Sequence, residues 1–138
     1  MHLRKLATLL ILGLGIMGLA ACHRAGPIQN FRDQPIPTSA SKLSSEEIAR
    51  QIKIAGASLG WKFEDAGPGM LRGTHQAQNH VATIDVGYTR TTYSIVLNSS
   101  ENMYQSPDGT VSSRYNWWAQ NLKNKIDSQL TIAGLQQG

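Results

Sequence analysis

The chain has 138 residues but a single cysteine, two phenylalanines, and a charged share of only 16%. One thiol excludes a disulfide framework and a cysteine-built zinc module. The low charge, beside a 41% hydrophobic share, excludes a highly charged disordered chain. No serine sits in a glycine elbow, and no glycine-rich loop opens a helix: Gly67-Pro68-Gly69 leads into a strand pattern instead. Glu64 and Asp65 are adjacent and point apart, a poor arrangement for paired-carboxylate catalysis. With no catalytic set, the chain reads as a non-enzyme with no cofactor and no metal. Basic charge is also thin. The net charge is +4, but Arg4 and Lys5 lie in a segment read below as removed, leaving eleven basic against nine acidic residues from Cys22 onward. That balance gives no clustered basic face for nucleic acid.

What is present begins at the N-terminus. Arg4 and Lys5 precede an uncharged run from Leu6 to Leu19, the length of a signal-peptide apolar region and too short for a comfortable membrane span. Leu19-Ala20-Ala21-Cys22 follows and resembles the lipobox of bacterial lipoproteins. The small residues suit the narrow subsites of a signal peptidase, and the thiol suits a thioether-linked diacylglycerol. The resemblance implies a signal peptide over 1–21, cleavage before Cys22, and acylation of its sulfur and new amino group with palmitate-type chains. His23 is not the aspartate that retains such proteins in an inner membrane, so in a Gram-negative cell the expected address is the outer membrane, facing the periplasm.

Residues 22–42 hold Pro27, Pro35 and Pro37 and a Ser/Thr cluster without helical or strand periodicity, and read as a flexible tether. The alternative is that Ile28 and Phe31 dock on the domain. The domain itself is expected over 43–133, with a frayed tail at 134–138. Ser44 and Glu47 make a capping box, Leu43 and Ile48 a hydrophobic staple, and Ile48, Ile52, Ala55 and Leu59 a helical stripe that Gly60 stops. Gly56, unfavourable inside a helix, points to a close neighbour. Four strand patterns follow, about 61–64, 70–77, 80–88 and 92–98.

Pairing Ala77 with His80 and Tyr88 with Tyr93 puts Leu71, Gly73, Ala82, Ile84, Val86, Ile95 and Leu97 on one face. The other face receives Arg72, Thr74, Gln76, Thr83 and Asp85, with Arg72 opposite Asp85. Gly73 leaves room for the ring of Phe63 or Trp61. After a polar loop, Tyr115, Trp118, Leu122, Ile126 and Leu130 mark a second helix that begins near Ser112 and is stopped by Gly134. The expected fold is α+β: a two-layer sandwich in the order α-β-β-β-β-α, a four-stranded antiparallel meander with both helices on one face.

This domain also resembles a group of small proteobacterial lipoproteins and secreted proteins that carry no established activity. The shared elements are Ala55-Gly56, Gly60-Trp61, Pro68-Gly69, Tyr93-Ser94-Ile95, Asn102-Met103-Tyr104 and Tyr115-Asn116-Trp117-Trp118, in that order. The resemblance implies location and architecture rather than chemistry.

Trp61, Tyr115 and Trp118 read as core, whereas Trp117 lies off the stripe. It packs against the Asn102–Tyr104 loop or contributes, with Asn116 and Tyr104, to an interaction surface. Asn116, in the first helical turn, is expected to tie that loop down. His75 and His80 share the apolar face and lack a third ligand for metal. Three functional readings follow. The favoured one is a membrane-anchored binding module for an envelope protein or polymer, held to lipid through Cys22. A second is a small-ligand binder with a pocket lined by Tyr88, Tyr93, His75 and Trp61. An enzyme is the third, requiring His75 or His80 beside an acid.

Overall fold

The computed structural model describes residues 24–137; Cys22 and the segment before it lie outside the described residues. The fold is α+β, with two helices and antiparallel sheets. Its elements are β1 (Ala25–Pro27), β2 (Phe31–Pro35), a 3-10 turn (Thr38–Ala40), α1 (Ser45–Ser58), β3 (Lys62–Asp65), β4 (Met70–Ala77), β5 (His80–Tyr88), β6 (Thr92–Glu101), β7 (Thr110–Ser112) and α2 (Ser113–Gln136).

Both helix starts follow from capping. Ser44 Oγ accepts from the Glu47 backbone N–H at 3.1 Å, and Leu43 and Ile48 are buried across it. The Glu47 carboxylate turns to Arg50 and Gln51, and these hydrogen bonds, Arg50 first, hold it below its ordinary pKa. Ser112 caps α2 through the Arg114 N–H. At the end of α1, Gly60 adopts φ +89°, and the Trp61 and Gly60 N–H groups donate to the Gly56 and Ala57 carbonyls, a Schellman closure. Gln51, buried between the helices, donates to Glu47 and accepts from Gln129 of α2, both at 2.7 Å.

The meander β3-β4-β5-β6 keeps the expected register as far as Ile84 opposite Leu97; there the pairing of β5 with β6 shifts by one residue, and β6 continues to Glu101, past the expected end at 98. Ala77 pairs with His80, Tyr88 with Tyr93, and Arg72 faces Asp85 with a 3.0 Å ion pair. Asn98, through its amide, and then Arg72 hold the Asp85 carboxyl below its ordinary value. The side chains of Leu71, Ala82, Ile84, Val86, Tyr93 and Ile95 are buried under the helices, and Arg72, Thr74 and Gln76 are exposed on the far face. Phe63 is wedged between two glycines. A Cβ at Gly73 would stand 2.5 Å from its ring, and one at Gly56 would overlap its other edge.

Three expectations are corrected. The sheet has five strands, not four, in the order β2-β6-β5-β4-β3, and a separate two-stranded sheet pairs β1 with β7. Residues 24–42, expected as a tether, are part of the domain: Phe31 and Ala40 enter the core, and Ile28 and Ile36 pack against it. Prolines do not prevent this, because β2 is an edge strand and Pro27 and Pro35 fall at strand ends. Side chains mend the irregular pairing. Asn30 Oδ1 accepts from Leu97 N–H, and Asp33, at φ 51°, donates its N–H to Ser94 Oγ. Lastly, α2 runs through Gly134 to Gln136 instead of stopping at the glycine, because the missing side chain there admits the Ser39–Ala40 backbone.

Two buried tyrosines, Tyr93 of β6 and Tyr115 of α2, have opposite bonding. Tyr93 donates to Asp127 Oδ1 at 2.5 Å, whereas the buried Tyr115 hydroxyl has no partner among the described residues. Tyr93→Phe should therefore cost about 2 kcal/mol, and Tyr115→Phe should stabilise by about 1 kcal/mol, both read from denaturant midpoints. Burial, reinforced at Tyr93 by Asp127, raises both phenols far above their ordinary value. A raised folded-state pKa means that the unfolded chain releases the proton first. The stability these groups contribute is complete below the ordinary tyrosine pKa of about 10 and is lost as pH rises beyond it. Ultraviolet titration should show these two phenolates appearing only with unfolding.

Candidate functional site

The functional candidates collect where α2 begins. Ser113 N–H donates to the Arg24 carbonyl, Ala25 pairs with Ser112, and Ser112 N–H donates to the Met103 carbonyl. The start of α2, the first described residue and the 102–105 loop are thereby fastened together. The tip of the β4–β5 hairpin joins them: Asn102 Nδ2 donates to the Asn79 carbonyl at 2.7 Å, and His80 Nδ1 donates to the Asn102 carbonyl at 2.8 Å.

Between these elements lies a cleft of about 570 Å³ lined by His80, Tyr104, Ser112, Arg114, Trp117 and Trp118. Trp117 is 65% exposed and Tyr104 60%. Tyr104 adopts φ 55° and Asn102 φ 56°, a left-handed conformation costly for tyrosine. Trp117 also borders a smaller recess of about 130 Å³, with Leu59, Trp61, His75, Trp118 and Asn121. In it the His75 ring stacks at 4.3 Å edge-on to Trp118 and 5.2 Å from Trp61, and its Nδ1 is buried without a hydrogen-bond partner among the described residues.

Trp117 and Tyr104 thus line the same cleft. Asn116 has a different role from the one expected. Its amide does not hold the 102–104 loop: Oδ1 accepts from Gln29 N–H and Nδ2 donates to the Pro27 carbonyl, both at 2.9 Å, so it secures the segment after β1. The four-residue pocket expected from Tyr88, Tyr93, His75 and Trp61 is split. His75 and Trp61 line the small recess, while Tyr88 and Tyr93 border a shallow surface beside Asp33 and Gly69. His75 and His80 line different cavities, and among the described residues no cluster of three His, Cys, Asp or Glu side chains forms. Nothing in the sequence pattern marks Arg114 or the His80–Asn102 bond; only the chain crossing of β7, the hairpin and α2 brings them together.

Comparison of the chain with family models, with curated proteins and with solved structures yields no match.

Proposed function

We propose that the chain is a lipid-anchored cell-envelope module that acts by binding, without a catalytic step, and that its contact surface is the aromatic cleft at the start of α2. The observation that carries this reading is that Trp117 and Tyr104 are both exposed and line one cleft. Two large aromatic side chains stand exposed on one concave surface, while Trp61, Trp118, Tyr93 and Tyr115 are buried. Exposed tryptophan and tyrosine beside an arginine have the composition of binding hot spots. The anchor follows from Leu19-Ala20-Ala21-Cys22.

A photo-crosslinking residue at position 117, activated in intact cells, tests the surface. The expected result is an envelope adduct at 117, to lipid or to a macromolecule, that disappears when Cys22→Ser abolishes anchoring. An absence of adducts at 117, with adducts at an exposed sheet position such as Thr74, would move the binding surface to the sheet. A second reading, a small-ligand site, is favoured by the unpartnered Nδ1 of His75 in the recess under Trp117.

A further inference from the structure

The strongest unassigned feature is where the anchor would attach relative to the aromatic cleft. Arg24 is already fixed, its carbonyl bonded to the Ser113 N–H at the first turn of α2. Cys22 precedes it by two residues. At about 3.4 Å per residue, an acylated Cys22 lies no more than about 7 Å from Arg24. Since residues 24–42 fold into the domain, they provide no leash. An acyl anchor would therefore draw the start of α2 down to the head groups.

That end of the molecule is the one that carries Trp117 and Tyr104. Trp117 lies one helical turn from Ser113, about 6 Å along the axis of α2, whereas the far end of the 24-residue helix is about 36 Å away. Tryptophan and tyrosine are the side chains that settle at the boundary between lipid and water, with an apolar ring inside and a polar edge outside. Among the residues lining the cleft Arg114 is the one Lys, Arg, Asp or Glu, and one cation is too few for attraction to anionic head groups to dominate. Aromatic insertion, rather than attraction to anionic lipid, therefore sets the contact. The aromatic pair needs little affinity of its own, because the anchor makes the second contact intramolecular at an effective concentration on the order of millimolar.

We propose that the cleft at the start of α2 is a membrane-docking surface: Trp117 and Tyr104 seat in the interface of the bilayer that holds Cys22. This deepens the anchored-module reading and rests on it. The test uses the full-length protein purified from its host membrane and reconstituted in phosphatidylcholine vesicles with or without brominated acyl chains. The difference emission between wild type and Trp117→Phe isolates Trp117, since Trp61 and Trp118 remain in both. Docking is supported when brominated lipid quenches that difference emission by roughly half or more, with no recovery in high salt. Vesicle-bound protein with acylated Cys22 but an unquenched Trp117 overturns docking and leaves the anchor standing; the cleft then faces a protein or polymer. Quenching relieved by salt overturns the aromatic mode. Unmodified Cys22 in protein that stays in the aqueous fraction overturns both docking and anchor.

Discussion

A chain begun at Leu43 is expected to melt at least about 10 °C below one begun at position 22 with Cys22→Ser, and to aggregate on heating. The truncation removes β1, β2 and the 3-10 turn, and with them the buried Phe31 and Ala40 and the packed Ile28 and Ile36. Loss of one buried phenylalanine costs about 3–5 kcal/mol, a large part of the roughly 5–15 kcal/mol that holds a domain together. Truncation also strips β6 of one of its two neighbours, leaving the backbone of Tyr93 and Ile95 as an open edge available to other chains. β7 loses its only partner strand among the described residues, and the Asn116 amide loses both of its bonds. Melting curves followed by circular dichroism decide the matter. Midpoints within a few degrees of each other would mean that residues 24–42 merely drape over a domain that starts at Leu43.

That segment also marks the limit of what could be read from residue order. Helix starts were legible because a cap is a local device: Ser44, Glu47, Leu43 and Ile48 lie within six positions. The hairpin register was legible because parity propagates from two tight turns, and only one register puts Arg72 against Asp85. β1, β2 and β7 gave no such signal. Two of them have three residues, and the pairing of β2 with β6 is broken by a bulge at Asp33 and carried across Asn30 by a side chain. No period survives in such strands; their partners lie about 60 to 90 residues away and are chosen by tertiary packing. The cleft is similar. Trp117 stood out because it breaks the apolar stripe of α2, but the approach of His80, Tyr104 and Arg114 depends on three loops meeting. The place of Asn116 in the first turn of α2 marks it as a tie, but the backbone it holds, Pro27 and Gln29, belongs to a segment whose sequence carries no periodicity.

Gly134→Ala provides the second large effect, and its sign separates two structures. In an exposed helix the change stabilises by about 1 kcal/mol, because alanine loses less backbone freedom on folding. Here a Cβ would overlap the Ser39 carbonyl and stand 2.6 Å from the Ala40 nitrogen, all backbone atoms that cannot rotate aside. Either α2 must shift away from the 3-10 turn or the turn must leave its seat, taking the buried Ala40 with it. The expected result is a net loss of about 3 kcal/mol in urea unfolding, the upper end of what overpacking costs. Ser39→Gly should not restore the loss, since the clash is with main chain and not with the serine side chain. A net gain in stability would mean that the last turn of α2 is unpacked, with the tail from Gly134 onward fraying in solvent and the 3-10 turn resting on something other than this glycine.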